Sequence, residues 1–134
     1  MTAPVRIQWL HANDVGISPF DTFDIEREET VFAPPAGPFP VSKLIPASRF
    51  AVVQLSVGWS GERHPTPARQ ILFCLAGSVR VTPGAGQPVT VNTCEAWLME
   101  DTTGGRHQTQ VTSDVPFEAV IIRLPDDARF NHAV

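Results

Sequence analysis

The chain has 134 residues, 43% of them hydrophobic and 18% charged, enough for one core and too few for two. Its net charge is −4, its pI is near 5.4, and its ten basic residues are dispersed. That excludes the clustered Lys/Arg surface of a nucleic-acid binder and the basic amphipathic helix of a membrane binder. The opening MTAPVRIQWLHAND has no long apolar segment of the signal-peptide kind, and no stretch of about 18 apolar residues occurs, so the expected location is the cytoplasm. Cys74 and Cys94 make no disulfide framework and are expected as reduced thiols.

The 13 prolines and 9 glycines are spread along the chain, as short strands joined by many turns require. RIQWL is expected as an edge strand, and FDIEREET as a turn of helix or an exposed edge strand before the prolines of VFAPPAGPFP. RFAVVQLSV follows, then ARQILFCLAG and SVRVTP joined at Gly77-Ser78, then PVTVN, AWLME, RHQTQVT and PFEAVIIRLP. Turn residues separate them: Pro83-Gly84-Ala85-Gly86, Gly104-Gly105 and Ser113-Asp114. Such spacing predicts an all-β sandwich, jelly roll or barrel. ILFCLA is apolar on both faces, so one face is expected to meet a lumen and the other the proline-rich 31–46 segment or a second subunit. The tail DDARFNHAV has little pattern and is expected to be poorly ordered.

Side chains two apart on a strand share a face. Glu62, His64 and Thr66 therefore point one way, with Gln70, Leu72 and Cys74 in the same parity. A lumen beside this strand would receive Glu62, His64 and Gln70 at its mouth and Leu72 and Cys74 deeper. Pro65 and Pro67 fall at the alternate positions, where their missing N–H suits an irregular strand end.

The spacing Gly58-(x)5-His64-x-Thr66-(x)3-Gln70-(x)6-Gly77 resembles the first motif of the cupins, G(x)5HxH(x)3–4E(x)6G. Thr66 stands at the second histidine position and Gln70 at the glutamate position. The second cupin motif, G(x)5PxGxxH(x)3N, is matched by Gly104 and His107, with Thr102 in place of the proline and Val111 in place of the asparagine. Cys94-Glu95 occupies the place of the usual Gly-Asp turn. Locally, HPTPARQ and EDTTGGRH resemble a signature of small single-domain bacterial cupins.

The resemblance implies a single-domain cupin jelly-roll β-barrel over residues 1–134, with the barrel core at about 48–124, an N-terminal arm over 1–47 and a tail over 125–134. It also implies a lumen able to hold one divalent transition metal (Fe, Mn, Ni, Cu or Zn), a homodimer, and oxygenase or isomerase chemistry on a small polar molecule. His64, Gln70 and His107 are the candidate metal ligands, with Glu62 as fourth ligand or general base. Trp59, Arg69, Leu72, Cys74, Asp101 and Thr102 are the candidate pocket residues. Two imidazoles and an amide oxygen form a neutral set, weaker than three histidines and a carboxylate. The alternative is a metal-free pocket in which the histidines bind a small ligand, as a sensor or accessory module without catalysis.

Each of these residues also has a plain structural use. Gln70 serves a strand end, Asp101-Thr102-Thr103 a turn, and Arg69 an ion pair with Asp101 or Glu100. Cys74, Trp59 and Trp97 serve as core, while His11 and His132 are expected as isolated surface residues.

Overall fold

Period-two alternation with apolar residues on the inner face makes strand the regular structure of this chain, and the computed structural model has eleven strands among the described residues, 4–12, 19–103, 106–128 and 130. Gly104, Gly105 and His132 lie outside them. No helix there is long and apolar enough to cross a membrane.

A six-stranded sheet runs in the order β2 (Phe20–Ile25), β1 (Val5–His11), β9 (Ala96–Glu100), β6 (Gln70–Ala76), β11 (Phe117–Arg123), β5 (Arg49–Leu55). A three-stranded sheet in the order β10 (Gln108–Val111), β7 (Val79–Thr82), β8 (Val89–Val91) faces it. β3 (Glu28–Thr30) and β4 (Phe39–Val41) form a separate hairpin. Leu10, Leu72, Cys74, Trp97, Met99, Phe117 and Ala119 from the large sheet meet Val79, Val81, Val91 and Val111 from the small one. This is the lumen of an all-β jelly roll, built as two opposed sheets rather than one closed ladder.

The segments expected as strands from 49 onward all form. The N-terminal region differs. RIQWL is no edge: β1 lies inside the large sheet, antiparallel to β2 and parallel to β9, with Trp9 opposite Leu98. Its alternate residues Ile7 and Trp9 need cover on one face and Leu10 on the other, which an edge position would not supply. FDIEREET divides between the end of β2, which is the sheet edge, and β3.

The second face of β6 is covered in part by the chain itself. Ile71 packs with Ile7, Trp9, Leu98, Leu124, Ala128 and Phe130, and Ile45 of the proline-rich segment joins them. Two residues of the tail are therefore core, with the Phe130 ring 5.5 Å from that of Phe23. His11 is not isolated either: its ring stacks on Trp9 at 4.0 Å, with Nε2 3.5 Å from Asp21 Oδ2.

Candidate functional site

A turn at Ser56–Trp59, closed by the Trp59 N–H on the Ser56 carbonyl, places Gly58 at φ +82°, where an L side chain would be strained. Beyond it the chain runs antiparallel to β10. Val111 N–H donates to Trp59 O, and Gly61 N–H donates to Thr109 O. His64 and His107 then exchange both backbone bonds, at 2.9 and 3.1 Å. The Trp59 ring lies across Gly61, where an added Cβ would come within 2.6 Å of it. Directly paired residues of an antiparallel bridge carry their side chains on one face. The rings of His64 and His107 accordingly sit with centroids 4.7 Å apart, tilted by 55°. His64 is exposed and His107 is buried.

After His64 the chain crosses to the large sheet through Pro65-Thr66-Pro67. Neither proline can donate, and the intervening Thr66 N–H donates to Asp101 O at 3.0 Å. The Thr66 hydroxyl donates to Asp101 Oδ1 at 2.6 Å. The other oxygen, Oδ2, lies 2.5 Å from His107 Nδ1. Thr66, Asp101 and His107 are 1%, 0% and 2% exposed, so the two hydrogen bonds on the Asp101 carboxylate lie out of solvent. A carboxylate only accepts, so Nδ1 of His107 carries hydrogen, and in the neutral ring Nε2 then presents a lone pair. His64 is held similarly, with Nδ1 2.8 Å from the Glu62 carbonyl oxygen. The Trp97 ring meets His107 edge-on at 5.4 Å, and its buried Nε1 has no acceptor among the described residues.

The candidate residues fall into three places. His64, His107 and Asp101 come together. Gln70, Leu72 and Cys74 share the inner face, as their parity predicts, but the Gln70 amide nitrogen lies 3.6 Å from Met99 Sδ, its cross-strand partner. Leu72 and Cys74 are buried in the core between the sheets. Arg69 is on the opposite face: its Nε and Nη2 bind Glu100 Oε2 at 2.7 and 2.6 Å. Glu100 also accepts from Trp9 Nε1 at 2.6 Å. Glu62, Thr102 and the rim residue Trp59 are exposed. Sequence reasoning treated Asp101 first as a turn residue and Thr66 only as a lost histidine. Their opposite ends of one gap became visible only when β6 and β9 paired. A separate groove of about 540 Å³, lined by Asp24, Glu28, Val41, Lys43, Ile45 and Phe130 among others, touches none of these residues.

The second histidine and the glutamate of the three-histidine, one-carboxylate set are replaced by Thr66 and Gln70, which leaves no carboxylate at the glutamate position. The Thr66 hydroxyl is turned to Asp101, and the Gln70 amide nitrogen to Met99 Sδ. Among the described residues no three His, Cys, Asp or Glu side chains gather as a metal site, and His64 and His107 stand there as a pair of imidazoles.

No family model and no curated protein matches the chain. Solved structures of similar fold include a cupin superfamily protein from Desulfitobacterium hafniense (15% identity, 62% of this chain and 77% of that one, TM-score 0.47). They also include the Cnp3 cupin domain of Schizosaccharomyces pombe (9% identity, 94% and 86%, TM-score 0.47). A third is the DMSP lyase DddQ from Ruegeria pomeroyi (21% identity, 81% and 50%, TM-score 0.48). The chain spans half the length of that lyase and 64% of a Streptococcus pyogenes protein of unknown function that it also resembles. By its own strands the chain is a small all-β jelly-roll domain.

Proposed function

We infer that this cupin-like domain acts on a small polar molecule by proton transfer, with His107 as general base and without a resident metal. The observation that supports this reading is the buried Asp101–His107 hydrogen bond, which orients the ring and directs the Nε2 lone pair away from the carboxylate. A ligand entering past exposed His64 offers an acidic hydrogen to His107 Nε2. That proton moves to the imidazole, the ligand keeps the electron pair, and Asp101 balances the charge on the ring. His64 supplies a second nitrogen to hold the ligand's polar atoms. Return of the proton at another atom is isomerase chemistry, one of the two reaction types expected of the fold.

The experiment is deuterium exchange. Small hydroxy and keto acids are incubated with the protein in D2O, and loss of their C–H signals is followed by proton NMR. Exchange that disappears in His107→Ala supports the base. Exchange unaffected by that change overturns it, as does a stoichiometric transition metal in purified protein that His64→Ala and His107→Ala each remove.

A second copy of the chain is the partner proposed for the outer face of the large sheet. Phe50, Val52, Phe73 and Leu75 stand there 74%, 66%, 39% and 57% exposed. They adjoin one another across β5, β11 and β6: Val52 pairs with Val120, and Val120 with Phe73. An apolar face continuous over three strands is the kind of surface that self-association buries.

A further inference from the structure

The three tryptophans differ in what the indole N–H meets. Trp9 donates to Glu100 Oε1 at 2.6 Å, and Trp59 is exposed at the rim. Trp97 is 3% exposed and faces the lumen with Leu72, Cys74 and Met99, yet its Nε1 has no partner among the described residues. We propose that this N–H is a binding group, which receives a carbonyl oxygen of a small molecule held in the lumen beside His107. The proposal rests on the reading that the lumen takes a small polar ligand, and it needs no proton transfer.

A buried donor without an acceptor has given up its hydration and gained no bond in return. Filling the core alone would call for an apolar ring, as Phe20 supplies 6.2 Å away. The side-chain acceptors around the histidine pair and along β9 are committed elsewhere. Both Asp101 oxygens are taken, by Thr66 and by His107, and Met99 Sδ receives the Gln70 amide nitrogen. Topology puts the indole at the histidine pair. Trp97 lies on β9 inside the large sheet, and its ring meets the His107 ring edge-on at 5.4 Å. The exposed His64 ring is 4.7 Å from that of His107. These spans are within the reach of one small molecule. An indole N–H only donates, so the group it receives must offer a lone pair. A carboxylate would bring a second negative charge beside buried Asp101, which leaves a neutral carbonyl as the acceptor that fits. Such a donor selects against molecules lacking the acceptor, because the N–H is then left unpaired.

The test follows the indole N–H resonance of Trp97 in nitrogen-15 labelled protein, assigned by the signals that Trp9→Phe and Trp59→Phe remove. Hydroxyacetone, dihydroxyacetone and pyruvamide are added in turn at rising concentration, with guanidinium, which only donates, as the control. At least one carbonyl compound is expected to move the resonance downfield and to saturate, while guanidinium leaves it in place. Trp97→Phe is expected to weaken binding of that compound about tenfold, the worth of one hydrogen bond, read from the ring signals of His64 and His107. If Trp97→Phe fails to fold, the wild-type resonance decides alone. If no carbonyl compound moves it, or guanidinium moves it equally, the oxygen site falls. A saturable shift without deuterium exchange into the compound keeps the oxygen site and overturns His107 as base. Exchange with an unmoved indole does the reverse.

Discussion

Glu100 and Asp101 are adjacent in the chain and serve opposite faces of the same sheet. Glu100 turns outward and fastens Arg69 and Trp9. Asp101 turns inward and fastens Thr66 and His107. Strand alternation does this without any special backbone. The consequence is that one short stretch ties down the tail side of the sheet and the histidine pair together, since Arg69 also donates to Pro125 O at 3.1 Å.

The two carboxylates differ in what their loss exposes. Asp101→Ala leaves the Thr66 hydroxyl and the His107 N–H buried without an acceptor, each worth about 1–3 kcal/mol. A loss of about 3 kcal/mol is expected, read as a lower urea midpoint. Glu100→Ala takes one acceptor from the buried Trp9 and one from Arg69, which lies closer to solvent and keeps its bond to Pro125 O, and about 1–2 kcal/mol is expected. Equal midpoints for the two variants would contradict the burial of the two bonds on Asp101.

Thr66 and Gln70 give the second prediction. If these two side chains are what leave the imidazole pair short of ligands, replacing them should supply the missing donors. Thr66→His combined with Gln70→Glu adds an imidazole and a charged carboxylate on the face that already carries His64 and His107. The double variant is expected to take up about one Ni or Mn ion per chain, measured by elemental analysis after dialysis, a stoichiometry judged by the ligand counts of transition-metal sites. His107→Ala in that background should release it. Failure to retain metal would mean that the four positions do not converge on one point.

The jelly roll was legible because its strands from 49 onward announce themselves by alternation and by the glycines and prolines between them. The parallel pairing of β1 with β9 was not, since nothing within RIQWL says which distant strand will lie beside it. The two motif spacings brought His64 and His107 together correctly, through a backbone bridge that Gly58 and Gly61 permit. Asp101 was harder. An Asp-Thr-Thr run is read locally as turn chemistry, and only the crossing at Pro65–Pro67 brings a hydroxyl to the other side of its carboxylate. The burial of Ala128 and Phe130 was hidden for a similar reason: single apolar residues in a polar tail carry no period.

The cysteines give a third prediction. Asn92–Glu95 is a turn closed by the Glu95 N–H on Asn92 O, and it forces Cys94 to φ 73°. That conformation costs a non-glycine residue about 1–2 kcal/mol, so Cys94→Gly is expected to stabilise the protein by about 0.5–1 kcal/mol after the added chain entropy. Cys94 is exposed, whereas Cys74 is buried with Sγ on the carbonyls of Ala76 and Gly77. Burial pushes the Cys74 thiol up. A thiol reagent should therefore modify Cys94 in the folded protein and Cys74 only on unfolding, as peptide mass spectrometry would show. The sign for pH follows. The folded state favours the neutral thiol, so this contribution is intact below the ordinary thiol pKa of about 8.5 and is lost as pH rises through the higher folded value.

The last prediction concerns the apolar face at β5. Ile71 finds cover from Leu124, Ala128 and Phe130, but Phe73 and Leu75 do not, and Phe50 and Val52 extend their exposed surface to the sheet edge. Two aspartates there would place charge where a partner must be dry, at a cost well above that of the apolar area lost. Phe50→Asp with Val52→Asp is expected to give a monomer by light scattering at concentrations where the wild type is a dimer. The change should leave the midpoint of a dilute monomer nearly unaltered, because neither side chain is buried within the chain. A wild type that scatters as a monomer at micromolar concentration would remove the second copy as this face's partner.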